Sequence, residues 1–121
     1  MKNATMEMIT QKTNLIDIRK DNFETEVLQS PIPVLLEFGA SWCGPCHIIA
    51  PGIKKLAFEY DGRVKFGLLD VDEDVEIKVK YGVRDLPTII LFKEGAVEDF
   101  IVGTKPTLEV KSRLEDLLLK S

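Results

Sequence analysis

The stretch Val34-Leu35-Leu36-Glu37-Phe38-Gly39-Ala40-Ser41-Trp42-Cys43-Gly44-Pro45-Cys46 joins a near-continuous apolar run to two cysteines three positions apart. Pro31 and Pro33 precede the run, and its length is that of a strand, so Val34 to Phe38 reads as a strand buried on both faces of a sheet. Glu37 is the one residue that spoils it. Beyond Cys46, the apolar residues Ile48, Ile49, Ile53, Leu56 and Ala57 follow at helical spacing to about Tyr60. The cysteines therefore sit where a buried strand passes into a helix. Pro51 falls inside the helical pattern and removes one backbone donor, which predicts a kink.

Working outward, residues 1–12 are polar and weakly patterned and read as a loosely structured N-terminal extension, leaving 13–121 as one domain. Thr13 to Ile18 alternate as a short strand. Asp21 and Glu24 have capping-box spacing ahead of a short helix from about Asn22 to Gln29, which Ser30-Pro31 ends. On the other side, Asp61-Gly62 is a turn and Val64 to Val71 a second buried strand. Val75, Val79 and Tyr81 suggest a short helix closed by Gly82. Thr88 to Phe92 is a strand, Glu94-Gly95 a hairpin turn, and Val97 to Val102 its partner strand, interrupted by Gly103. Pro106 opens a final amphipathic helix with Val110, Leu114, Leu117 and Leu118 on one face. The order is βαβαβαββα. Strands alternating with helices imply parallel pairs with right-handed crossovers, and the last hairpin is antiparallel. The expected class is α/β, a mixed central sheet with helices on both faces.

Composition limits the function. Hydrophobic residues are 45% and charged residues 30% of 121, enough for a core. Sixteen Lys and Arg against twenty Asp and Glu give a net charge of −4, which argues against a nucleic-acid surface. No apolar run approaches the roughly 18 residues of a membrane span, and MKNATMEMIT does not resemble a secretory signal, so a cytoplasmic location is expected. Two cysteines, one close pair, point to redox chemistry or metal.

The first turn of a helix presents unpaired N–H groups and the positive end of its dipole, and both stabilise a thiolate. Residues i and i+3 share a helix face, so the two sulfurs reach each other: one attacks a substrate disulfide and the other resolves the mixed disulfide. Pro45 pre-sets helical φ, and Gly44 admits a substrate backbone. Three competing readings fit the residues less well. Two structural cysteines would not need flanking Gly-Pro. Zinc wants four ligands, against two thiols and one His. Cys43-Gly44-Pro45-Cys46-His47 matches the haem-attachment pattern, which belongs to exported chains. His47 reads as a partly exposed helix residue whose protonated form would favour the thiolates. Asp70, Asp72 and Asp74 imitate the start of a calcium loop, but Val75 and Tyr81 stand where Gly and Glu are needed, so they read as a solvated loop and helix start. Glu37, a carboxylate inside an apolar strand, should have a raised pKa where it is buried without a partner.

Trp42-Cys43-Gly44-Pro45-Cys46, within Phe38 to Cys46, resembles the active site of the thioredoxin family. The resemblance continues through Ala50-Pro51, Val71-Asp72, Lys80-Tyr81-Gly82-Val83-Arg84, Leu86-Pro87-Thr88 and Val102-Gly103, and covers about Leu15 to Leu118. It implies a thioredoxin fold in which Cys43 is the exposed nucleophile and Cys46 the more buried resolving thiol. It further implies that Trp42 lies beside the disulfide, that Pro87 is a cis-proline turning the Leu86 backbone towards substrate, and that Val102 and Gly103 line the same groove. Glu37 falls at the family's buried acid, which implies a raised carboxyl near the cysteines that accepts or returns the Cys46 proton, directly or through a water. The implied activity is protein disulfide reduction by a monomer, with disulfide-containing protein substrates, a thioredoxin reductase-type electron donor, no metal and no bound cofactor. The alternatives are a disulfide oxidase or isomerase on the same scaffold, or a non-catalytic binding or chaperone module. Three positions depart from the family pattern: Leu68 where a Lys is frequent near the acid, Gly39 where a second Trp is common, and Asp85 where Gly is frequent. Leu68 predicts a Glu37 without a compensating cation, Gly39 looser packing beside the active-site loop, and Asp85 a weaker thiolate or a preference for basic substrates.

Overall fold

The apolar run that opens at Val34 forms the middle strand of a five-stranded sheet, with every residue from Val34 to Gly39 buried. In the computed structural model, which describes residues 14–120, the elements follow as β1 (Leu15–Asp17), α1 (Glu24–Leu28), β2 (Val34–Gly39), α2 (Gly44–Glu59), β3 (Lys65–Asp70), α3 (Val75–Lys80), β4 (Thr88–Lys93), β5 (Ala96–Val102) and α4 (Thr107–Leu119). This is the expected βαβαβαββα order. The expected extension at 1–12, with Thr13, lies outside the described residues. The strands lie in the order β1-β3-β2-β4-β5.

Strand period decides which core each residue joins. Val34, Leu36 and Phe38 of β2 face Phe23, Val27 and Ile77, the side of α1 and α3. Leu35 faces Ile49, Ile53 and Leu56 of α2 and Val110, Leu114 and Leu117 of α4. Helices thus cover both faces. Phe23, Tyr81 and Phe92 close the first core with ring centroids 5.6 to 6.2 Å apart.

Several local expectations are corrected. Alternating strands and helices predicted parallel pairs up to the hairpin, yet β4 runs antiparallel to β2. The register explains it. Gly39 pairs with Asp70 and Phe38 with Thr88, so β3 ends and β4 begins beside the same end of β2. The chain turns through the six-residue α3 at that edge and does not cross the length of the sheet. The capping box at Asp21 and Glu24 does not form: α1 is a five-residue π-helical turn with no side-chain cap. Asn22 organises the entry instead, accepting from the Arg19 amide at 2.6 Å and donating to the Asp17 carbonyl at 2.9 Å. Pro51, the place of the expected kink, lies inside α2, which continues on both sides of it. Glu94 and Gly95 both have positive φ, 54° and 80°, the twist a two-residue hairpin turn requires.

Candidate active site

Cys43 is the N-cap of α2. Its backbone is extended, and its Sγ accepts the Cys46 amide N–H at 3.1 Å, satisfying one of the first-turn donors that no helical carbonyl can reach. Pro45 lies in that first turn, where a missing N–H costs nothing. The two cysteines form a disulfide, with Cα atoms 5.3 Å apart. The expected contrast between an exposed Cys43 and a buried Cys46 is absent in this oxidised form: the residues are 4% and 7% exposed. The reason is the cap itself. Bonded to Cys46 and accepting its amide, the Cys43 sulfur turns onto the helix end and joins the apolar cluster of Val71 and Val83.

Access is provided by the neighbours. Trp42, Cys43, Pro45, Asp72, Asp85 and Leu86 line a groove of about 710 Å³, shared with Gly44, Lys78 and Arg84. Trp42 is 67% exposed, and its indole Nε1 donates to Asp72 Oδ2 at 2.7 Å, which fixes the ring at the groove wall. The Leu86–Pro87 peptide bond is cis and Pro87 is buried. Gly103, at φ +87°, donates its amide to the Pro87 carbonyl at 2.8 Å. Val102 pairs with Thr88 in the sheet. The last two residues expected to line the groove therefore sit directly beside the cis bond, with Val102 44% exposed. Asp85 is exposed, and its carbonyl accepts Thr88 Oγ1 at 2.5 Å.

Glu37 points to the α2 side of β2. It is 4% exposed, and burial pushes its carboxyl up to about 7 with no cation offsetting the desolvation. Leu68 is its register partner on β3, so the place expected to lack a cation is the adjacent one. A Cβ built on Gly39 would stand 3.4 Å from Cys46 Sγ and 3.6 Å from Glu37 Oε2, so the acid and the second sulfur flank one methyl-sized volume. That volume opens into a second cavity of about 420 Å³, lined by Glu37, Gly39, Cys46 and Leu68 among others. His47 is exposed on α2, with Nε2 2.8 Å from the Ser41 carbonyl.

Asp72 was legible only as one acid of a loop; its role as the Trp42 anchor comes from β3 ending beside the cysteine loop. The three loop acids each have a structural partner: Asp70 accepts from the Asp72 amide at 2.9 Å, Asp72 from Trp42, and Asp74 from the Lys20 amide at 3.2 Å. Among the described residues no group of three His, Cys, Asp or Glu side chains could hold a metal ion, and no helix is long and apolar enough to cross a membrane.

Comparison with known proteins agrees with this geometry. The family model described as Thioredoxin matches residues 14–116. The chain is similar to Thioredoxin 1 of a Nostoc species, 38% identical over 98 residues, 81% of this chain and 92% of that protein. It is 42% identical over 90 residues to a thioredoxin of Pseudomonas aeruginosa, 74% of this chain and 83% of that one. It is also 38% identical over 104 residues to the chloroplastic Thioredoxin M4 of Arabidopsis thaliana, 86% of this chain and 54% of that one.

Proposed function

The chain belongs to the thioredoxin family, and from that membership we propose how its residues divide the work of protein disulfide reduction. It is a thiol–disulfide oxidoreductase whose electrons are carried by Cys43 and Cys46. The single observation that carries the division is the cap: Cys43 Sγ already accepts a helix N-terminal amide, the interaction that stabilises a thiolate. Cys43 thiolate attacks one sulfur of a substrate disulfide, forming a mixed disulfide and expelling the first substrate thiolate. Glu37 takes the Cys46 proton, across the gap over Gly39 or through one water. Cys46 thiolate then attacks Cys43 Sγ, re-forming the Cys43–Cys46 disulfide and expelling the second substrate thiolate, so two electrons leave the protein. A dithiol donor of reductase type restores them.

The substrate segment lies extended in the Trp42 groove and pairs with the Leu86 backbone, which the cis bond presents beside Cys43. Gly44 and Pro45 form its floor, and Val102 and Gly103 line it beside the Pro87 turn. Residues 13–121 act as one monomeric unit in the cytoplasm, with Asp85 favouring basic substrate residues. Trapping tests the scheme. Cys46→Ser should accumulate mixed disulfides through Cys43, and Cys43→Ser should abolish reduction of insulin-like disulfides. A Cys46→Ser protein that captures no substrate, or a Cys43→Ser protein that retains reduction, refutes it.

A further inference from the structure

The cavity between α2 and the β1–β3–β2 half of the sheet is larger than proton transfer from Cys46 requires. Its sheet wall is built from alternate residues, Glu37 and Gly39 of β2 and Leu68 of β3. Its helix wall is one stripe of α2, Cys46, Ala50 and Ile53, at steps of four and three. The space exists because the facing side chains are small: Gly39 has none and Ala50 has one methyl. At about 420 Å³ it falls within the roughly 300–1,000 Å³ range of small-molecule sites.

We propose that this cavity is a binding site for a small aromatic molecule bearing an N–H or O–H donor, its ring between Leu68 and Ile53 and its donor on the Glu37 carboxylate. The walls select an apolar body, and a ring fills such a space at low cost in conformational entropy. The one buried acceptor, Glu37, selects a donor, because a buried carboxylate without a partner is costly. The charges select against an anion. Asp17, Glu37, Asp70 and Glu73 line the cavity against the two cations Arg19 and Lys54, and Arg19 is committed to Asp17 at 2.9 Å and Glu73 at 3.1 Å. An occupant above Gly39 touches both Cys46 Sγ and Glu37. Whatever factor reduction of the pair applies to its affinity, the occupant applies to the reduction equilibrium. Binding itself does not depend on the division of roles proposed above.

Indole and 1-methylindole, the same ring without the donor, are the probes, titrated against the full chain with amide chemical shifts as readout. Indole should saturate with shifts at Gly39, Ile53 and Leu68, and 1-methylindole should bind about tenfold more weakly. Glu37→Leu should erase that preference. Gly39→Trp and Leu68→Phe fill the cavity from different strands, so one failing to fold leaves the other, and each should weaken indole by about tenfold or more. The proposal is overturned by no saturable indole binding up to its solubility, by shifts confined to the Trp42 groove, by equal binding of the two probes, or by indole affinity unchanged in the folded filling variants.

Discussion

At the scale of single residues, one methyl-sized volume over Gly39 lies between the Cys46 sulfur and the Glu37 carboxyl. Gly39 and Leu68 were visible only as separate departures; that they wall one cavity with Cys46 follows from strand register, which no short stretch encodes. Gly39→Ala is therefore informative. Its Cβ would make ordinary van der Waals contacts at 3.4 and 3.6 Å, and its φ is not left-handed, so melting should be unchanged or the fold stabilised by up to about 1 kcal/mol. The same methyl stands against the Cys46 sulfur and the Glu37 carboxyl, so the second thiol exchange should slow, read as mixed disulfide that persists longer in single-turnover reduction. Asp72→Ala should behave oppositely. The Trp42 indole N–H is exposed enough for water to replace the lost carboxylate, so stability should change by under about 0.5 kcal/mol. The ring would lose its fixed orientation, KM for a protein disulfide should rise, and the emission of the only tryptophan should shift. An unchanged spectrum and KM would mean that Asp72 does not position it.

At the scale of elements, type and order were legible because each element has its own apolar period and its own punctuation: Gly82, Glu94-Gly95 and Pro106 all mark boundaries. Strand direction was not. A helix between two strands leaves the same periodicity whether it crosses the sheet or turns at one edge, and β4 turns at the edge. The π-helical form of α1 was also hidden, since Asn22 and not Asp21 holds the chain before it. Packing between elements yields a contrast of two core substitutions. Gly67 of β3 lies under Ile18, and an added Cβ would sit 2.7 Å from Ile18 Cγ1, a carbon in a residue only 1% exposed. Gly67→Ala should destabilise by about 1–3 kcal/mol through overpacking. Leu114→Ala in α4 does the reverse, leaving a void beside Leu35 and Leu56, and should cost about 2–5 kcal/mol. Chemical denaturation measures both. A Gly67→Ala protein as stable as the parent would show that Ile18 can move aside and that β1 is loosely held.

For the whole molecule, the buried acid makes global stability depend on pH with a definite sign. The Glu37 carboxyl lies at about 7 in the folded protein against 4.5 when unperturbed, so the folded state holds the proton more tightly and unfolding releases it. The penalty is absent below the unperturbed value, grows as pH rises from about 4.5 to 7, and is complete above that. A shift of this size corresponds to on the order of 3 kcal/mol when fully expressed. Glu37→Gln keeps the shape and removes the charge. It should match the parent near pH 4.5 and exceed it at pH 8, both followed by denaturant unfolding of the oxidised form, where Cys43 and Cys46 do not titrate. Parallel curves across that window would place the Glu37 ionisation near its solvent value and remove it as proton acceptor for Cys46. A rising difference would tie the cost to the function: the fold tolerates a strained ionisation at Glu37 because a carboxyl poised near neutrality is what the resolving thiol needs.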